Sequence, residues 1–296
     1  ERRTASSCVH RTSRSGPRFM RASPRPDTTP AVDRVRPSRP IHAYSRTVDR
    51  LDGPRLWPRP PKLPRPILMD QRWENLAFLH WRVPSEAVAP LLPAGCRPDE
   101  FDGSSWVGLI GFEMVDAGLG YGCPVPYFGT FDEINVRLYS IDADGRRGVF
   151  FRSLEANRLA VVIGTNLARI PYRWASITAE VRDDAISYRS RRLAPPHRGA
   201  TTDFGITRGT TNVSDDPLAQ FLTARWGLHT MFAGRLLYVP NVHRRWKLTG
   251  AEVTHCSDRL IEAAGLPGVA DRQPDSVLFS EGVATQFGKP YLVRST

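Results

Sequence analysis

The chain of 296 residues carries a net charge of +11, and all of it lies at one end: residues 1–66 hold 16 Lys and Arg against 5 Asp and Glu, whereas residues 67–296 hold 25 of each. A neutral body argues against the broad basic surface that nucleic-acid backbones require, and no apolar run approaches the ~18–20 residues of a membrane-spanning helix. Four scattered cysteines without a CxxC pair argue against a disulfide scaffold and a cysteine zinc site, and point to a reducing compartment, the cytoplasm.

Residues 1–66 form an Arg- and Pro-rich leader with 12 of the 26 prolines. So few large apolar residues cannot offset the entropy of ordering the chain, so the leader is expected to be disordered. It reads as a basic arm touching nucleic acid or acidic lipid, as a targeting peptide, or as an over-extended translation. The prolines oppose the helix that a targeting peptide needs. The excess of 38 Arg over 3 Lys favours the over-extended translation, with Met69 as the candidate start. Residues 67–296 are expected to be a single domain.

From Leu76 to Val83 the residues alternate. Ala77, Leu79, Trp81 and Val83 make an apolar face, and Leu76, Phe78, His80 and Arg82 a mixed one, the pattern of a strand with one face on the core. Ser85 is placed to cap a short helix limited by Pro90 and Pro93. Asp102-Gly103 turns into Trp106 to Val115, apolar on both sides as in a doubly buried strand. A Gly-rich loop spans 118–129. Phe131 to Ile141 alternates again, and Asp144-Gly145 closes a hairpin into Gly148 to Leu154. Ser153 reads as the cap of a helix from Glu155 to Leu167. A strand from Arg173 to Val181, with Ala175, Ile177, Ala179 and Val181 inward, turns at Asp183-Asp184 into Ile186 to Leu193. Asp216-Pro217 starts a helix, two strands flank Ala233-Gly234, Ser257 to Ala264 reads as a helix ended by Gly265, and Ser276 to Phe287 is a final strand.

Several blocks carry a resemblance. Trp73-Glu74-Asn75-Leu76 through His80-Trp81, then Val83-Pro84 and Leu91-Leu92-Pro93, are similar to the opening of the YqjF-like family of uncharacterised bacterial proteins. Phe101-Asp102-Gly103 with Trp106-Val107-Gly108-Leu109, Glu133-Ile134-Asn135-Val136-Arg137, Ser153-Leu154-Glu155-Ala156 with Arg158-Leu159-Ala160, and Tyr188-Arg189-Ser190 follow in order. The resemblance covers roughly residues 70–285. At Val242-His243-Arg244-Arg245-Trp246 the chain departs from the family, which favours prolines there, so no role passes to His243. The family resembles acetoacetate decarboxylase in fold, a double-layered β-barrel with an interior cavity. That enzyme uses a lysine in a Pro-Lys-Lys turn; the similar turn here is Ile170-Pro171-Tyr172-Arg173, with no lysine, so the nucleophile does not carry over. The decarboxylase does have a carboxylate like Glu133.

Glu133, Asn135 and Arg137 share one strand face. Inside a barrel, Arg137 would hold an anion and a desolvated Glu133 would act as acid or base; on a solvent-facing strand they would be an ordinary polar ladder. His80 would join Glu133 if their strands were neighbours, and otherwise is a structural histidine. Tyr172 and Arg173 stand in place of the lysines, where Arg173 suits a carboxylate; the alternative is an exposed loop. Arg158 points either to the barrel mouth or to solvent. His229, His243 and His255 lack ligand spacing, so no metal is expected, and no cofactor-binding motif occurs.

The expected fold is therefore mostly β (α+β): an acetoacetate decarboxylase-like, double-layered antiparallel β-barrel with a few short peripheral helices. The expected function is binding of a small organic acid, with acid/base lyase chemistry that needs no Schiff-base lysine. The expected catalytic residues are Glu133 and His80, and the substrate-binding residues Arg137, Asn135, Tyr172, Arg173 and Arg158. The alternatives are a non-catalytic binding or accessory protein and, less favoured, a nucleic-acid contact by the leader. No membrane partner is expected, and a homo-oligomer is compatible with the chain.

Overall fold

The computed structural model describes residues 59–120, 123–124, 129–158 and 172–294, within the compact unit Gly53–Thr296. The expectations for the leader, apart from its last residues, and for the segment 159–171 lie outside the described residues.

Strands dominate. β1 (Ile67–Val83), β2 (Cys96–Pro98), β3 (Ser105–Leu119), β4 (Cys123–Pro124), β5 (Phe131–Asp142) and β6 (Arg147–Ala156) come first, with the one-turn helix α1 (Ser85–Val88) after β1. A meander of β7 (Tyr172–Arg182), β8 (Ala185–Arg192) and β9 (Thr201–Asn212) leads to α2 (Pro217–Thr223) and the hairpin β10 (Gly227–Phe232) and β11 (Arg235–His243). β12 (Thr249–Asp258), α3 (Leu260–Ala263), β13 (Ser276–Gly288) and β14 (Tyr291–Leu292) complete the chain.

The pairing makes two closed circuits that share one wall. The wall is β13–β1–β3–β5–β6, antiparallel throughout. One face is closed by β7–β8–β9–β12, joined to β6 at one end and β13 at the other. The opposite face is closed by β10–β11, joined to the same two strands. The double layer that the family resemblance implies is thus present, and it explains why the wall strands are apolar on both sides. Ala77, Leu79, Trp81, Val107, Leu109, Ile134, Val136 and Leu138 pack toward β7–β9. Leu76, Phe78, Ile110 and Phe112 pack toward Trp246 and Leu248, and Trp106 and Tyr139 pack on Phe221 and Leu222 of α2.

The interior is close-packed where the circuits meet. A Cβ on Gly111 of β3 would lie 2.6 Å from the Tyr188 ring and 2.9 Å from Phe204. Gly111→Ala is expected to lower stability by about 1–3 kcal/mol through overpacking, measured as a shift of the urea midpoint. β1 carries a bulge between Glu74 and Ala77. Asn75 there takes a left-handed φ of 55°, and its carbonyl accepts a 2.7 Å hydrogen bond from the Tyr188 hydroxyl.

Four expectations are corrected. Ser153 and Glu155 do not start a helix; both are buried within β6, opposite Val136 and Ile134. The ladder with β5 wins over the local capping pattern because it pairs the whole backbone of the segment. Ser85 does not cap α1, whose N-cap is Pro84; its hydroxyl bonds to Glu100 and Ser105. Ser257 belongs to β12, and Asp258 is the residue that accepts from the Ile261 amide. Val181 is not inward, being 45% exposed at the end of β7. β9 was not expected, because only Phe204 and Ile206 stand out apolar among its threonines. The Asp216 cap of α2 is present, accepting a 2.8 Å bond from the Ala219 amide. Among the described residues no helix is long and apolar enough to cross a membrane.

Candidate functional site

The two closures diverge from a single strand. On the edge of β6 away from β5, Val149 and Phe150 pair with β10, and Leu154 to Ala156 pair with β7. Between these stretches neither strand pairs with Phe151, Arg152 or Ser153, and a cavity of about 330 Å³ opens there. Its wall includes Arg152, Ser153, Arg173, Arg192, His229 and Met231.

Three guanidiniums face this space in different states. Arg192 is buried and neutralised by Glu155: its Nη2 donates to Glu155 Oε1 at 2.5 Å, its Nε to the same oxygen at 3.1 Å, and its Nη1 to the Pro196 carbonyl at 3.0 Å. Burial raises the pKa of Glu155 while Arg192 lowers it. Arg152 is half-buried and, among the described residues, donates only to carbonyls, from Nε to Ala264 at 2.9 Å and from Nη1 to Leu91 at 3.1 Å. Arg173 is half-buried, and among the described residues it makes no ion pair. Burial lowers the pKa of Arg173, and the charge of Arg192 lowers it further against the pull of Glu155.

Tyr172, next in the chain to Arg173, points through the other face of the sheet. Its hydroxyl donates to Glu133 Oε2 at 2.7 Å, and Asn135 Nδ2 donates to Glu133 Oε1 at 3.3 Å. Glu133 is buried, among the described residues no cation stands beside it, and burial pushes its pKa up to about 7, with the two hydrogen bonds opposing. The Tyr172 hydroxyl is raised well above its ordinary range by burial and by the carboxylate. Glu133, Asn135 and Tyr172 therefore come together, while Arg173 stands on the opposite side of β7.

His80 does not join them. β3 separates β1 from β5, and His80 lies at the level of Gly108 and Arg137. Glu133 is four residues further along β5, roughly 13 Å at a strand's rise. Instead His80 Nε2 meets the Tyr139 hydroxyl at 2.8 Å, and that oxygen accepts from Arg137 Nε at 3.1 Å. Either atom can be the donor of the Tyr139–His80 bond, because a hydroxyl that accepts from Arg137 can still donate or accept once more, and His80 Nδ1 is buried without a partner among the described residues. Burial first, then Arg137 and Arg225, lowers the His80 pKa well below its ordinary value, so the ring is neutral. Arg137 also donates to the Leu222 carbonyl at 3.2 Å and does not reach the cavity wall.

Residues 70–284 match the family of uncharacterized conserved proteins denoted DUF2071. The chain belongs to this family. A relative, the uncharacterized protein YqjF of Bacillus subtilis (strain 168), is 28% identical over 200 residues, covering 67% of this chain and 82% of YqjF. Among solved structures, an acetoacetate decarboxylase from Legionella pneumophila superposes with a TM-score of 0.58 at 12% identity, covering 84% of this chain and 98% of that one. An acetoacetate decarboxylase-like enzyme from Sphingomonas wittichii RW1 gives 0.54 at 15% identity, covering 78% and 95%. The enduracididine biosynthesis enzyme MppR, complexed with pyruvate, gives 0.53 at 13% identity, covering 78% and 92%. At such identities the likeness is one of fold.

The remaining candidates of this DUF2071 chain fall elsewhere. Arg158 acts on Asp132, lowering a pKa that burial raises, and is not on the cavity wall. His243 packs between Trp226 and Trp246, at ring separations of 4.5 and 4.9 Å, and burial lowers its pKa to about 4. His229 lines the cavity, but Ser140 and Asp142 take both ring nitrogens, at 2.8 and 3.3 Å. Among the described residues no cluster of three or more His, Cys, Asp or Glu could hold a metal. The sequence reading passed over Arg152 and Arg192 in this DUF2071 chain. Arg192 had a signal: Ile186, Tyr188 and Ser190 alternate inward, and the same phase carries Arg192 into the interior. Arg152 had none, since its place depends on the parting of β7 and β10.

Proposed function

We propose that this DUF2071 protein binds a small organic acid in the cavity beside β6, with Arg173 as the principal cation and Arg152 as the second. The observation that carries this reading is the pair of half-buried guanidiniums on the wall of one cavity, neither of which makes an ion pair among the described residues. A cation held partly out of water without a counter-charge is unfavourable, and a carboxylate entering the cavity supplies that charge with bidentate geometry. The acetoacetate decarboxylase-like fold adds support, since MppR, which shares it, is known with pyruvate bound. No lysine stands on the described wall, and the chain has none between Lys62 and Lys247, which favours binding or acid/base chemistry over Schiff-base formation.

A second reading makes the protein an acid/base catalyst through Glu133. It rests on the carboxyl group held near pKa 7 by burial, the range that suits proton transfer at neutral pH. Tyr172 and Arg173 are consecutive, so one strand bears both the partner of Glu133 and the cation of the cavity.

The test is a thermal-shift screen of small carboxylic acids on the full chain. A ligand at 100 times its Kd should stabilise by about 2.7 kcal/mol. Arg173→Gln is expected to abolish the shift and leave the melting temperature without ligand nearly unchanged. Retention of the shift in that variant would remove Arg173 from the site.

A further inference from the structure

We propose that the ligand of this cavity is a dianion with a small apolar body, carrying either two carboxylates or one phosphate monoester. The inference rests on the reading of the cavity as an anion site and goes on to the charge of its occupant.

Charge matching carries it. Arg192 is matched by Glu155, and its Nε, Nη1 and Nη2 groups are engaged with Glu155 and Pro196. Glu155 also attracts Arg173, but one carboxylate against the guanidiniums of Arg152, Arg173 and Arg192 leaves a surplus of two positive charges on one wall. No Asp or Glu lines the cavity among the described residues. The segment from Leu159 to Pro171, which joins β6 to β7, contains no acidic residue and one further cation, Arg169, so wherever it lies it supplies no counter-charge. A monocarboxylate would match one guanidinium and leave the other half-buried and unmatched, an unfavourable state in a partly dehydrated space. The hydrogen-bonding capacity agrees. Among the described residues no acceptor takes the planar fork of Arg173, which suits a bidentate anion, and none takes Nη2 of Arg152, whose other two donors hold Ala264 and Leu91. Phe150, Leu228, Met231 and Ala263 supply the apolar part of the wall. A volume of about 330 Å³ is at the small end for ligand pockets, which suits a compact metabolite.

The experiment is calorimetric titration of the full chain, at low salt and pH 7.5, with three probes of similar apolar body: phenylsuccinate, phenyl phosphate and 3-phenylpropanoate. The dianions are expected to bind at least about tenfold more tightly than the monoanion, one matched charge being of that order. The advantage should shrink as salt is raised. Arg173→Gln should weaken all three and remove most of the dianion preference. Arg152→Lys, which keeps the charge, should retain that preference, and this separates a charge effect from a folding defect. Whichever of phenylsuccinate and phenyl phosphate binds more tightly identifies the anionic group. Equal affinity for all three, lost in Arg173→Gln, overturns the dianion and leaves the organic-acid site standing. No binding of any probe to the folded chain, or dianion binding indifferent to Arg173→Gln, overturns both.

Discussion

Asp99→Ala is expected to bring the protein close to unfolding. Asp99 is fully buried and is shared by two arginines: Arg147 donates from Nε at 2.7 Å and from Nη2 at 2.6 Å, and Arg225 donates to the same carboxylate. Burial works against the ionised carboxyl, yet Arg225 and Arg147 together hold its pKa below the ordinary 3.8. Removing one partner of a buried ion pair costs about 3–5 kcal/mol. Here two guanidiniums lose that carboxylate at once, one of them Arg225, which is buried and packed on the Tyr139 and Phe221 rings. The upper end of that range, about 5 kcal/mol, is therefore expected, against a total of about 5–15 kcal/mol for a typical domain. Urea denaturation at pH 7 measures it. Asp99→Asn, which keeps an acceptor oxygen, should lose less. Because the folded pKa is depressed, the contribution of Asp99 is present above 3.8 and is lost as the pH falls below it. A midpoint for Asp99→Ala within error of the native one would mean that the pair is not formed.

Glu133→Gln is expected to act in the opposite direction, and only above acid pH. The carboxyl is raised from 4.5 to about 7 in the folded protein. Between those values the native state holds a proton that the unfolded chain has released, so stability falls as pH rises through this window and levels off above it. The gap corresponds to about 3 kcal/mol. The glutamine variant should match the native protein at pH 4 and exceed its stability by about that amount at pH 8. The site accommodates the amide: the Asn135 Oδ1 atom is buried without a partner, and rotation of the Asn135 amide would present it to the new NH₂ group while Tyr172 keeps its acceptor. Parallel pH–stability curves for the two proteins would show that Glu133 is not desolvated in solution.

These two residues show how unevenly the site was legible. Glu133 could be selected from the alternation of Phe131 to Ile141, which is regular enough to place Glu133, Asn135, Arg137 and Tyr139 on one face. Its partner Tyr172 was flagged only because it follows Pro171 in a turn similar to one that matters in a related fold. Asp99 was not selected at all. It directly follows the three-residue strand β2, before the turn that leads into β3, and its partners lie 48 and 126 residues away, a separation that leaves no periodic trace. Glu155 was misread for the same reason, because Arg192, which makes a buried carboxylate tolerable on a strand, is 37 residues further on.

By itself the sequence determined the strands whose side chains alternate, the turns at Asp102-Gly103, Asp144-Gly145, Asp183-Asp184 and Ala233-Gly234, and the membership carried by its blocks. Those are local properties, set by a backbone whose side chains point alternately to two faces and by residues that tolerate tight turns. Only the tertiary structure decided which faces are covered. His80 is 0% exposed, because a second closure lies over the side of β1 that its mixed composition had suggested was partly open. The parting of β7 and β10 from β6 likewise decided that Arg152, Arg173 and Arg192 share a cavity while Tyr172 and Glu133 lie across the sheet. Burial and charge pairing depend on what stands opposite a residue in space, and that is set by strand order, which alternation within a strand does not encode.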